Sequence, residues 1–211
     1  MDTGQRVEIG ENRLEGLLSV PGNASGLIIF AHGSGSSRFS PRNNFVAGIL
    51  QTRGFATLLF DLLSQEEAAD RHNVFDIPLL GERVTEAIIW AATHPQTADL
   101  PIGLFGASTG AAAALVAAAE SPARIRAVVS RGGRPDLAGS ALPRVKAPTL
   151  LIVGGLDFQV IDLNEAAQTL MRSETRMEIV PGATHLFEEA GTLEKAVDLA
   201  SDWFAVHCPA G

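Results

Sequence analysis

The stretch Leu104–Glu120, LFGASTGAAAALVAAAE, decides how this chain is read. Its beginning completes LPIGLFG, a short apolar run bounded by Pro101 and Gly106, which has the length and composition of a buried strand. Its end is an alanine tract with high helix propensity and no breaker. Ser108 and Thr109, between Gly106 and Gly110, therefore sit on a strand-to-helix turn. Two readings compete for the serine. It is the N-cap of the helix, accepting a backbone hydrogen bond, or it is a nucleophile held clear of the backbone by a sharp turn of the form G-x-S-x-G. Patterns this short recur by chance, so the rest of the chain has to decide.

Working outward, strands and helices take turns. VEIGENRLEGLLSVP reads as an edge hairpin around Glu11-Asn12, and GLIIFAHG as a buried strand. SPRNNFVAGILQTRG is a helix with Ser40 as cap, Pro41 in its first turn and Gly54 as its stop. FATLLFDLL is a further strand, and LLGERVTEAIIWAATH an amphipathic helix ending before Pro95. Beyond the alanine helix, RIRAVVSRGG and PTLLIVGGLD are strand-like, IDLNEAAQTLMR is helical, and TRMEIVPGATH supplies one more strand. The last helix, TLEKAVDLASDWFAVH, gathers Leu193, Ala196, Val197, Ala200, Trp203 and Phe204 on one face. Continuous rather than alternating apolar strands, separated by helices, predict a three-layer α/β fold with a mostly parallel central sheet and helices on both faces.

Composition agrees with one such domain over residues 1–211. Hydrophobic residues make up 46% and charged residues 19%, which favours a packed globule. The net charge of −8 and the lack of a long Lys/Arg cluster argue against nucleic acid as a partner. The N-terminal segment lacks a signal-peptide pattern and no apolar run is long enough to span a bilayer, so the expectation is a cytoplasmic chain with no membrane partner. Cys208 is the single cysteine, so neither an internal disulfide nor a cysteine-based metal site is expected, and no metal-ligand cluster is visible.

In parallel sheets, ligands bind beyond the carboxyl ends of the strands. After GLIIFA comes HGSGSS, His32–Ser37, whose glycines suit either a flexible turn or one side of an oxyanion hole. A backbone N–H near Ser34 would then act with the N–H of Thr109. After PTLLIV comes Asp157, a turn former or cap on one reading and a carboxylate at the working edge on the other. After the last strand comes His185. His94 and His207 close helices and His72 lies in a polar connection; apart from His32, His185 is the only histidine that immediately follows a strand, and it is the natural base. Ser108, Asp157 and His185 thus fall at successive strand ends.

HGSGSS, GASTG, VGGLD and GATHLF together resemble the dienelactone hydrolase branch of the alpha/beta hydrolase superfamily, from about Leu14 to the final helix. The resemblance implies the alpha/beta hydrolase fold, a serine or cysteine nucleophile and no cofactor. It implies that Ser108 attacks a small-molecule acyl substrate, that His185 is the base oriented by Asp157, and that water releases the acyl group. Relatives of this type also occur joined to phosphoribosyltransferase domains, and nothing in this sequence matches such a domain. The namesake enzymes use cysteine where Ser108 stands, and carry an arginine shortly after the histidine where HLFEEAG offers Glu188 and Glu189. Carboxylester, thioester and lactone stay open as substrates, as do an acyltransferase or peptidase with the same three residues and a binding protein that turns nothing over.

Two segments carry double expectations. Residues 62–80 form a small lid or a solvated long loop. Arg131, at the end of RIRAVVSR, makes a structural ion pair, with Asp136 or a lid glutamate, or offers its planar fork to an anionic group of the substrate. Arg134 follows in the same turn.

Overall fold

The computed structural model describes residues 4–209; residues 1–3 and 210–211 of the expected domain lie outside the described residues. Among these residues eight strands form one sheet: β1 (Gln5–Ile9), β2 (Leu14–Ser19), β3 (Leu27–Ala31), β4 (Ala56–Phe60), β5 (Ile102–Ala107), β6 (Ile125–Arg131), β7 (Thr149–Gly154) and β8 (Thr175–Val180). Their order is β1-β2-β4-β3-β5-β6-β7-β8, antiparallel from β1 to β4 and parallel from there on. This is the alpha/beta hydrolase arrangement, with the edge hairpin where the sequence places it.

Among the described residues seven helices complete the layers: α1 (Pro41–Thr52), α2 (Gln65–Ala69), α3 (Arg71–Val74), α4 (Ile77–Ala91), α5 (Thr109–Glu120), α6 (Phe158–Leu170) and α7 (Thr192–His207). A 3-10 stretch, Pro135–Arg144, is broken at Gly139. Every residue of β3, β4, β5 and β7 is buried, because helices cover both faces. On one side Ile28, Phe30 and Phe105 pack with α1 and α7, where Ala196, Val197, Ala200, Trp203 and Phe204 form the stripe read from the sequence. Each large apolar side chain sealed in this way stabilises by about 1.5–3 kcal/mol. On the other side Ile29, Leu104 and Val128 pack with α4 and the alanines of α5. Small side chains let α5 lie close to the sheet, and ten of its twelve residues are buried.

The helix LLGERVTEAIIWAATH differs from its reading at both ends. It begins at Ile77 because the Asp76 side chain accepts from the Leu79 N–H and Pro78 suits the first turn, and it ends at Ala91. The connection before it, expected as a small lid or a solvated long loop, carries the short helices α2 and α3 and is largely exposed. Ser64 and Glu67 form a capping box that starts α2, and Arg83 of α4 holds Glu67 at 2.8 Å. The segment is thereby pinned over the carboxyl end of the sheet.

Connections leave β3 toward β4 and reach β5 on its other flank, so the strand order reverses between β3 and β5. A crevice at such a reversal is where doubly wound sheets bind ligands.

Candidate active site

Ser108 links β5 to α5 with φ 52° and ψ −124°, a left-handed backbone for a residue with a Cβ, costing on the order of 1–3 kcal/mol. Its side chain makes no capping hydrogen bond, which removes the N-cap reading and leaves Oγ free. The flanking glycines are steric necessities. A Cβ on Gly110 would overlap the carbonyl oxygens of Ala31 and His32, and one on Gly106 would overlap the Ala111 backbone.

Asp157 stands before α6 and likewise makes no capping bond. Its Oδ2 lies 2.7 Å from His185 Nδ1, and His185 Nε2 lies 3.3 Å from Ser108 Oγ. Three residues from the ends of β5, β7 and β8 thus form one hydrogen-bonded chain. The imidazole is 38% exposed and the carboxylate 16%, so the reacting edge meets solvent while its orienting partner is sheltered. Thr184 N–H and hydroxyl donate to Glu189, at 3.0 and 2.7 Å, which closes the turn that carries His185.

The turn after β3 lies against this group: a Cβ on Gly33 would sit 3.0 Å from Ser108 Cβ. Ser34 N–H is not open; it donates to Thr109 Oγ1 at 2.9 Å. The amide of Thr109 itself belongs to the first turn of α5, whose leading N–H groups have no intrahelical acceptor.

His32 anchors this turn. Leu62 N–H donates to its Nε2 at 3.1 Å, so Nδ1 carries the proton and donates to Gly33 O at 3.0 Å. The ring ties the turn after β3 to the segment after β4. Burial pushes its pKa below the ordinary 6.5, against smaller opposing effects of the Gly33 carbonyl and Asp61. The neutral ring is favoured in the fold, so its contribution to stability is complete above 6.5 and is withdrawn as pH falls from there through the lowered folded value. His32→Gln keeps an acceptor for Leu62 but cannot titrate. We expect it to lower the melting temperature by about 2–4 °C at pH 7.5 and to flatten the acid decline. Melts from pH 7.5 to 5 check this, and parallel slopes in the two proteins would count against it.

A cleft of about 520 Å³ opens from Gly33 and Ser34 between the turn after β3 and the segment 61–68. Leu14, Phe39, Leu62, Leu63, Val74 and Leu80 supply apolar lining, and Arg38, paired with Asp61 and Glu15, supplies charge. Ser108 and His185 stand beside this space and do not line it.

Arg131 is the last residue of β6 and its side chain is buried. The ion-pair reading does not hold for it. Arg134 takes Asp136, at 2.9 and 2.8 Å, and Arg131 has no carboxylate partner among the described residues. Its Nε has no hydrogen-bond partner, and its guanidinium carbon lies 5.7 Å from the Phe187 ring centroid. Burial, with Arg42 adding repulsion, pulls its pKa down to about 10. It does not line the cleft at Ser34; it lies on the side of the His185–Phe187 turn.

Cys208 is buried at the end of α7, and burial pushes its thiol up to about 12. No group of three or more potential metal ligands occurs among the described residues, and none of their helices is long and apolar enough to cross a membrane.

Comparison with known proteins bears on the fold and its lineage. Residues 24–202 match the family described as Alpha/beta hydrolase domain. The crystal structure of a dienelactone hydrolase from Anabaena variabilis ATCC 29413 is 55% identical, with a TM-score of 0.94 over 97% of both chains. Est1E from Butyrivibrio proteoclasticus, 15% identical, shares the fold with a TM-score of 0.80 over 98% of this chain and 99% of its own. A curated protein of Mycobacterium tuberculosis H37Rv, provisionally named a phosphoribosyl transferase, is 57% identical over 206 residues, 98% of this chain and 46% of its own length. The chain thus spans about half the length of that relative. Matched along most of its length, with an eight-stranded sheet of the same kind, the chain belongs to the alpha/beta hydrolase family and is dienelactone hydrolase-like.

Proposed function

We propose that this chain is a serine hydrolase that opens small carboxylic ester, lactone or thioester bonds through an acyl-enzyme. The observation that carries the reading is the chain Asp157 Oδ2, His185 Nδ1, His185 Nε2, Ser108 Oγ, at 2.7 and 3.3 Å, around a serine that caps nothing. Ser108 Oγ forms a bond to the acyl carbon as its proton passes to His185 Nε2. The tetrahedral oxyanion is met at the turn of Ser34 and Thr109, where the N-terminus of α5 adds its positive end. The bond to the leaving oxygen or sulfur then breaks and takes the proton from His185; water repeats the sequence to free the acid.

The activity assigned to this segment is hydrolysis, and the transferase name of the longer Mycobacterium relative is not transferred to it. The test is labelling by a fluorophosphonate probe, located by mass spectrometry, followed by a panel of esters, thioesters and lactones. Labelling at Ser108 and turnover of the panel are expected. Labelling without hydrolysis would favour an acyltransferase, or a peptidase if amides are cut; absence of labelling would favour a binding protein.

The apolar lining of the 520 Å³ cleft supports a modest hydrophobic group on one side of the scissile bond. The buried, unpaired Arg131 supports an anionic group on the other. Arg131→Gln is expected to raise KM for a carboxylate-bearing ester by about 10-fold or more, in line with a charge-assisted hydrogen bond of ~1.5 kcal/mol, and to leave a neutral ester of equal size unaffected. Equal losses on both esters with a lowered melting temperature would reassign Arg131 to holding the His185 turn.

A further inference from the structure

The hydroxyl of Thr109 differs from the other helical threonine hydroxyls of this protein. Those of Thr52, Thr85, Thr169 and Thr192 all donate to backbone carbonyls three or four residues earlier. Thr192 also opens a helix after a residue of positive φ and donates to Glu189 O; Thr109, opening α5 after Ser108, makes no such bond. Its Oγ1 instead accepts from Ser34 N–H, at 2.9 Å, and among the described residues no acceptor takes its own proton. The residue is only 6% exposed. A sheltered hydroxyl with one lone pair taken by the Ser34 N–H and its proton unspent has a donor left for an acceptor, and it stands one residue from Ser108, against the turn of Gly33 and Ser34.

Resting on the serine-hydrolase reading above, we infer that Thr109 supplies two donors to the oxyanion, its backbone N–H and its Oγ–H, while the Ser34 N–H orients the hydroxyl. When Ser108 Oγ bonds to the acyl carbon, the carbonyl double bond opens and its electron pair goes to oxygen. That oxygen accepts from the Thr109 amide and hydroxyl, no proton is transferred to it, and both hydrogen bonds relax when the carbonyl reforms. Two features hold the hydroxyl in place. The β-branched side chain has few rotamers on a helix, and the close approach of Gly110 to the end of β3 leaves the turn no room to retreat.

The inference separates Thr109 from a residue that merely braces the turn. Thr109→Val replaces the hydroxyl by a methyl of the same shape and frees the Ser34 N–H. If the hydroxyl donates, kcat on a reactive ester falls by about 10²–10³, the loss typical of one oxyanion donor, while KM changes less than about threefold. The affinity of a trifluoromethyl ketone, whose adduct carries the oxyanion, falls by the same factor, and Thr109→Ser restores most of both. A Val variant with kcat at or above that of the unaltered protein overturns the inference, since the Ser34 N–H would then be the donor that the hydroxyl had covered. Should the Val variant melt early, Thr109→Ala against Thr109→Ser decides, equal activity of these two being the overturning result. Failure of the hydrolase reading looks different: the unaltered protein itself takes no fluorophosphonate.

Discussion

Ser108→Ala is expected to lower turnover by about 10⁶-fold and to abolish fluorophosphonate labelling while the melting temperature stays within a few degrees of the unaltered protein. The size follows from losing the nucleophile, because the remaining groups can only bind and polarise the substrate. The intact fold follows from the geometry: Ser108 Oγ caps no helix, and its one side-chain partner is His185 at 3.3 Å. Alanine meets the left-handed backbone at φ 52° with the same Cβ that serine has. Stopped assays with mass spectrometry of the labelled protein check the first part and thermal melts the second. Probe attached to another residue of the Ala variant would sink the assignment.

Asp157→Asn should cost about 10³–10⁴ in turnover with labelling still slow but measurable. The carboxylate receives the His185 Nδ1 proton at 2.7 Å and thereby keeps Nε2 unprotonated toward Ser108. An amide in its place can present its NH2 to Nδ1, which holds the proton on the wrong nitrogen. Since Asp157 makes no capping bond to α6, the helix is not expected to suffer. Full activity of this variant would send the search to Asp136 or Asp162. Asp136 is already held by Arg134, and Asp162 is exposed on α6.

What could be read in advance followed from patterns that stay local. Most strands betray themselves because burial on both faces demands unbroken apolar runs, and Ser108 and Asp157 stand out because each follows such a run within three residues, whereas His185 follows the edge strand β8, which has one buried residue. The stripe on α7 repeats with helical period and was legible for the same reason. What stayed hidden depends on pairs far apart in the chain. Nothing around His32 announces that its ring accepts from Leu62, thirty residues on. Nor does the sequence tell which way the Ser34 N–H points, because a turn rich in Gly and Ser admits many backbone directions. Segment 62–80 was ambiguous for a physical reason as well: α2 and α3 are five and four residues long, too short to show a period, and are held by contacts such as Glu67 with Arg83. Arg131 sits at a strand end like the three site residues, and only the structure reveals that Arg134 has taken the nearby acid.

The left-handed turn at Ser108 bears on how this protein can be engineered. Any procedure that ranks substitutions by folding free energy alone will favour glycine at position 108, where a backbone without Cβ adopts that conformation at no steric cost. The same ranking has no reason to keep a serine that packs against nothing it must fill and caps nothing. Thermal tolerance and chemistry therefore pull in opposite directions at this single position. Stabilisation has room elsewhere, in the exposed faces of α6 and α7, and a library built for heat resistance should hold residues 106–110 fixed.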